Sequence, residues 1–172
     1  MTEWNIVPEC YVDTKVAEIA GQAKKYNHQH GCGDVANHLK FKLKDKIALG
    51  IIDEDRNKGV GSKYFSEFLI IKKDNNLILK KHNVRQQFLI LICPEMEQWL
   101  MNDAIAVHLN PLDFGLPKDL KGFTELSKLQ NIDKNLGFHR FVKALLNQQA
   151  PSIITLKNWI ELFKCNKLDD LK

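Results

Sequence analysis

The chain has 172 residues, 44% of them hydrophobic and 27% charged, with a formal net charge of +4. This describes an ordinary globular protein of one domain, or one domain with an extension, and excludes disordered and fibrous classes. The mild positive charge permits an anionic partner without requiring one, and no stretch approaches the ~18 consecutive apolar residues of a membrane-spanning helix. The opening Met1–Asn5 has neither the basic start nor the apolar run of a secretory signal. Cys10, Cys32, Cys93 and Cys165 lie far apart with no C-x-x-C pair. Free thiols in a reducing cytoplasm are therefore expected, rather than disulfides or a structural zinc.

In chain order, Trp4–Val7 is expected as a first strand, ended by Pro8 and followed by a turn carrying Glu9. Asp13 and Thr14 suit the cap of a helix whose Val16, Ile19 and Ala20 recur at helical spacing up to Gly21. Asn27–Gly33 breaks that helix, and a second one is expected from Asp34 with Val35, Leu39 and Phe41. Ile47–Ile52 is an uninterrupted apolar run with Gly50 inside it, the pattern of a strand buried on both faces of a parallel sheet. A loop with Gly59 and Gly61 follows, then a strand over Phe65–Ile71, a turn at Asp74–Asn76 and a short return strand over Leu77–Leu79. Phe88–Cys93 is the most hydrophobic stretch and reads as another central strand. Pro94 is expected to open a helix carrying Met96, Trp99, Leu100 and Ile105.

Beyond Asn110 the periodicity is helical. Leu136, Phe138, Phe141, Val142 and Leu145 form one apolar face, and Ile153, Leu156, Trp159, Ile160 and Phe163 form another. The expected architecture is α/β: a mostly parallel sheet flanked by helices over residues 1–110, with a helical extension over 111–172 packed on it.

Acidic residues recur at the carboxyl ends of the expected strands. Glu9 follows the first, Asp53 and Asp55 follow the middle one two residues apart, and Glu95 and Glu97 follow the last. In an open α/β sheet these positions share one edge, where such folds bind ligands. Carboxylates gathered there suit a hard divalent cation, Mg²⁺ or Mn²⁺, acting on a phosphodiester. Taken singly, each has another use: a solvated turn, or an acid at the positive end of a helix dipole. His28 and His30, with His38 further on, suggest either a metal pair or a loop facing substrate near the acidic edge. Lys63, Lys72, Lys73, Lys80 and Lys81 either line a phosphate-binding groove or blunt an edge strand against aggregation.

Ile6–Cys10 with Asp13, and Ile51–Asp55, resemble the Glu and Asp-x-Asp motifs of Toprim domains, a Rossmann-like fold shared by topoisomerases, primases and small nucleases. Ile92–Met101 is similar to the strand, proline and Glu-x-Trp helix of the small overcoming-lysogenisation-defect and RloB-like Toprim groups. The resemblance spans residues 4 to 105. It implies a metal-dependent nuclease, in phage defence or DNA repair, with Glu9, Asp53 and Asp55 catalytic. Glu9, Asp53, Asp55 and Glu97 would hold Mg²⁺ or Mn²⁺, and His28, Lys63 and Lys81 would contact nucleic acid.

The chain departs from the family at Cys10, where glycine is usual, and at Arg56, in place of a third Asp. These departures leave a second reading: a weakly active or inactive Toprim-like binding subunit beside a separate ATPase partner, since this chain has no Gly-rich phosphate loop. A third reading takes Asp53 and Asp55 as the nucleophile and acid of a haloacid-dehalogenase-type phosphatase.

Overall fold

A computed structural model describes residues 2–54, 63–129 and 131–171, with the side chains of Thr2 and Glu3 left out. Strand β1 (Thr2–Glu3) leads into β2 (Ile6–Pro8), helix α1 (Tyr11–Ala20), β3 (Lys25–Tyr26) and α2 (Cys32–Asn37). A π turn, His38–Lys42, extends α2 before β4 (Ala48–Asp53). After a 3₁₀ turn at Lys63–Glu67 come β5 (Phe68–Asp74), β6 (Leu77–His82), β7 (Gln87–Ile92) and α3 (Met96–Ala106). Helices α4 (Leu120–Ser127), α5 (Leu136–Asn147) and α6 (Pro151–Lys164) complete the series.

Five strands form one sheet in the order β2-β4-β7-β6-β5, while β1 and β3 pair separately. β2, β4 and β7 run parallel to one another, while β6 is antiparallel to both β7 and β5. The sheet is therefore mixed rather than mostly parallel. The return strand is the reason: Lys80, Lys81 and His82 continue β6 past Leu79, long enough to pair with β7 as well as β5.

Each face of the sheet has its own core. Leu49 and Ile51 of β4 join Ile6, Phe88, Ile90 and Ile92 against α1, α3, α5 and α6. Ala48 and Ile52 turn the other way, with Val7 and Leu89, toward Val35 and Leu39. This two-sided burial is what an uninterrupted apolar run implies. Gly50 lets α2 close on the sheet, because a Cβ there would stand 3.1 Å from Leu39 Cδ1 and 3.2 Å from Val35 Cγ1. Phe138, Phe141, Val142 and Leu145 of α5, and Ile153, Leu156 and Ile160 of α6, belong to the same apolar cluster as the sheet. No described helix is long and apolar enough to cross a membrane.

Several local expectations shift: the first strand of the main sheet is Ile6–Pro8 rather than Trp4–Val7, and β5 starts at Phe68 because Phe65 lies in the 3₁₀ turn. α1 starts at Tyr11 with Cys10 as its cap, so Asp13 lies inside the first turn. The second helix starts at Cys32, and the π turn carries Phe41 out to 66% exposure, off the buried face. α3 starts at Met96, two residues past Pro94, and its buried stripe is Met96, Trp99, Leu100, Asp103 and Ala104. That stripe follows helical spacing, so Ile105 falls outside it at 69% exposure and Asp103 falls within.

Candidate active site

Glu9 is held by backbone donors from two other elements. Its N–H continues the β2–β4 ladder by donating to the Ile51 carbonyl (3.0 Å). Its carboxylate accepts from the Cys32 N–H at the start of α2 (3.0 Å) and from the Asp53 N–H at the end of β4 (3.2 Å). Glu9 therefore sits at the carboxyl edge of the sheet with its rotamer set by α2 and β4. Cys10 keeps an extended backbone, φ −138° and ψ 180°, which any residue adopts. The usual glycine is not required here for conformational reasons. Burial, then the charge of Asp13, pushes the Cys10 thiol well above its ordinary value, so it is an inert thiol rather than a nucleophilic thiolate.

Asp13 projects from the first turn of α1 into the same space. It is 1% exposed, and neither carboxyl oxygen has a hydrogen-bond partner of normal geometry. Burial and the charges of Glu9 and Glu97 raise it to about 7, with the neighbouring Cys10 offsetting only part of this. Asp53 ends β4 opposite Ile92 of β7 and is half-buried, with Oδ1 sealed from solvent and unpartnered. Burial, then Asp13, Glu97 and Glu9, raises it to about 10 against the opposing Met96 N–H. Glu97, the second residue of α3, accepts a hydrogen bond from the Ser127 hydroxyl of α4. The same hydroxyl lies 2.9 Å from the Thr124 carbonyl.

Glu9, Asp13, Asp53 and Glu97 thus form one electrostatically coupled cluster at the carboxyl ends of β2, β4 and β7. Glu95, exposed at the cap of α3, stands apart. Asp55 and Arg56 lie outside the described residues, as does most of the loop expected to follow them. Asp13, read from the sequence only as a helix cap and as part of the Glu motif, and Ser127 are the additions to the expected site. Asp13 had a signal: it shares a helical face with Val16, Ala17 and Ala20, where an acid is out of place. Ser127 had none, because the approach of α4 to α3 is a tertiary event.

As the side chains stand, no three of the described His, Cys, Asp and Glu groups are arranged to ligate one ion. The donor chemistry nevertheless fits a hard divalent cation: all four groups offer carboxylate oxygen, and three buried oxygens of Asp13 and Asp53 lack a partner. Without a cation, such crowded acids keep protons instead.

His28 lies beside Thr14, the residue after Asp13 in α1. The Thr14 hydroxyl donates to the Cys10 carbonyl (2.6 Å), so at 3.0 Å it accepts from His28 Nδ1. That fixes the proton on Nδ1 and leaves Nε2 as an acceptor, buried and unpartnered. Burial, then His30, lowers the His28 pKa and keeps the ring neutral. Tyr11 stacks on His28 at 4.1 Å, and His30 meets it edge-on at 4.7 Å. His38 is bound elsewhere, with Nε2 2.8 Å from the Asn27 amide.

The two candidate lysines lie away from the acids. Lys81 pairs across β6–β7 with Phe88, near the opposite end of β7 from Ile92, and forms an ion pair with Asp169 (2.6 Å). Lys63 is exposed and opens the 3₁₀ turn whose Tyr64 reaches Gln87, the first residue of β7. Lys72 and Lys73 are exposed on edge strand β5, where they suit the edge-blunting role. No family model, curated protein or solved structure matches the chain.

Proposed function

We propose that the acid cluster is the centre of a Toprim-type, divalent-cation-dependent nuclease that cleaves phosphodiester bonds of nucleic acid. The observation that carries this is the pair Asp13 and Asp53, whose solvent-sealed, orphaned oxygens feel the charges of Glu9 and Glu97 at the carboxyl edge of three parallel strands. The motif resemblance around Glu9, Asp53 and Glu97 supports the choice of phosphodiester.

Asp13, Asp53 and Glu97 would hold Mg²⁺ or Mn²⁺, with Glu9 fixed beside them by two backbone N–H groups. A bound ion would supply polarisation of a phosphoryl oxygen and offset the charge that develops there. The chain's own groups set the stage for that chemistry. Glu9 is oriented before substrate arrives, and Ser127 steadies Glu97.

The competing reading is a non-catalytic Toprim-like subunit that binds nucleic acid beside a separate ATPase. It rests on the departures from the family pattern at Cys10 and Arg56 and on the lack of a Gly-rich phosphate loop in this chain. Incubation of supercoiled plasmid with the purified chain and Mn²⁺ or Mg²⁺ decides between the two. Nicking or linearisation by the parent, reduced at least about 100-fold in Asp53→Ala and Asp13→Asn, is the expected result. Equal cleavage by parent and variants would remove the acid cluster from the chemistry. No cleavage under either metal would leave the binding subunit.

A further inference from the structure

We propose that the hollow between α1 and α5 binds a phosphate group. It encloses about 320 Å³ and is lined by Lys15 and Glu18 of α1, Lys24 from the turn before β3, and His139 and Lys143 of α5. That volume is at the small end of ligand pockets, which suits a phosphate and the sugar it esterifies rather than a large cofactor.

Charge selects an anion. Among the lining residues three ammonium groups face one carboxylate, which is already engaged, with Asp133 acting on it from outside the lining. Glu18 accepts the Tyr26 N–H at 3.1 Å and pairs with Lys15 at 3.7 Å. Lys24 and Lys143 are exposed and have no ion-pair partner among the described residues. Three separate segments bring these cations to one concavity. His139 lies one helical turn before Lys143, so the two project from the same face of α5. Its pKa is lowered by burial and then by Lys143 and Lys15, a repulsion that a bound anion would relieve.

This pocket is distinct from the acid cluster. Asp13 and Lys15 are two residues apart on α1, about 200° around the helix, so Asp13 faces the sheet while Lys15 faces outward. Phosphate binding here needs no metal and no catalysis. It therefore stands or falls apart from the proposed nuclease.

The test uses the full chain in EDTA and two probes: inorganic phosphate, and a fluorescent single-stranded oligonucleotide lacking terminal phosphates. The readouts are the imidazole proton signals of His139 and the oligonucleotide anisotropy. We expect phosphate to move the His139 signals, and Lys143→Gln to weaken binding of the responding probe roughly fivefold. Exposed Lys46→Gln serves as the charge control and should change little. Both variants should keep the parental melting temperature, since both side chains are exposed.

A response to phosphate alone assigns a small phosphorylated molecule to the pocket. A Lys143-dependent response to the oligonucleotide assigns a nucleic-acid backbone, with the salt dependence falling by about 0.7 log units per log unit of salt for each phosphate contact removed. If neither probe moves His139, or if Lys143→Gln weakens binding no more than Lys46→Gln, the proposal is overturned.

Discussion

Asp13 shows how a single residue changes the meaning of a site. Three acids at strand ends were visible in the sequence because each follows an apolar run, and the sheet brings those ends together. Asp13 stayed hidden because Asp and Thr before a helical pattern normally signal a cap. Here the cap is Cys10, and the helix has begun by the time Asp13 is reached. Its burial without partners is unfavourable for folding, which is what a residue kept for binding would show. The expected result for Asp13→Asn in EDTA is unchanged stability or a gain of about 1 kcal/mol, since one repelling group is removed. Its response to Mn²⁺ should largely vanish. The parent should gain about 2.7 kcal/mol at a hundredfold excess over the dissociation constant. Thermal unfolding of both proteins with and without Mn²⁺ checks this, and an equal rise in the two would remove Asp13 from the ion's surroundings.

Among the elements, α3 links the two halves of the chain. Asp103 occupies a core position of its buried stripe, and its two oxygens accept from the Ser152 N–H (2.9 Å) and the Ile153 N–H (2.8 Å). These are orphan donors at the start of α6, where Pro151 lacks an N–H and Ala150 offers no side-chain cap. A carboxylate borrowed from another helix thus does the work of a local cap. Asp103→Ala should cost about 2–4 kcal/mol by urea denaturation, and Asp103→Asn, which keeps one acceptor, about half of that. A loss under 1 kcal/mol in the alanine variant would mean that water satisfies those donors.

Periodicity alone marked the apolar faces of α5 and α6 except at Leu136, which opens α5 at 77% exposure instead of joining its buried side. It could not show that Asp103 is a partner of α6, which lies some fifty residues further along the chain. Nor could it distinguish a two-stranded hairpin from the β5-β6-β7 meander, which depends on β6 outlasting its apolar core through Lys80, Lys81 and His82.

For the molecule as a whole, the acid cluster ties stability to pH. Asp13 and Asp53 are both raised above their unfolded values near 3.9, so the folded state holds more protons than the unfolded one. Their contribution is complete below about pH 4 and is lost as pH rises through about 7 for Asp13 and about 10 for Asp53. His28, His38, His82 and His139 are lowered, mainly by burial, and act in the opposite direction below about pH 6.5. The acids are therefore best read between pH 7 and 9. In EDTA, stability should fall there by up to about 1.4 kcal/mol per pH unit for each proton difference. Asp53→Asn should flatten that slope, and Mn²⁺ should do the same in the parent by taking the place of protons. A flat profile in EDTA would mean that the carboxyls are solvated rather than coupled.

The placement of α5 and α6 has a consequence for how the chain is made. One face of the sheet is covered by α1, α3 and α6, with Phe163 of α6 against Phe88 of β7, and Phe141 and Leu145 of α5 join the same apolar cluster. During synthesis the sheet is complete once Ile92 has emerged, yet that layer stays unfinished until residue 164 is free of the ribosome. A nascent chain holding every acidic residue of the cluster would still present a wide apolar surface. The interval between those two moments is when this protein is most exposed to misassociation and has most to gain from a chaperone.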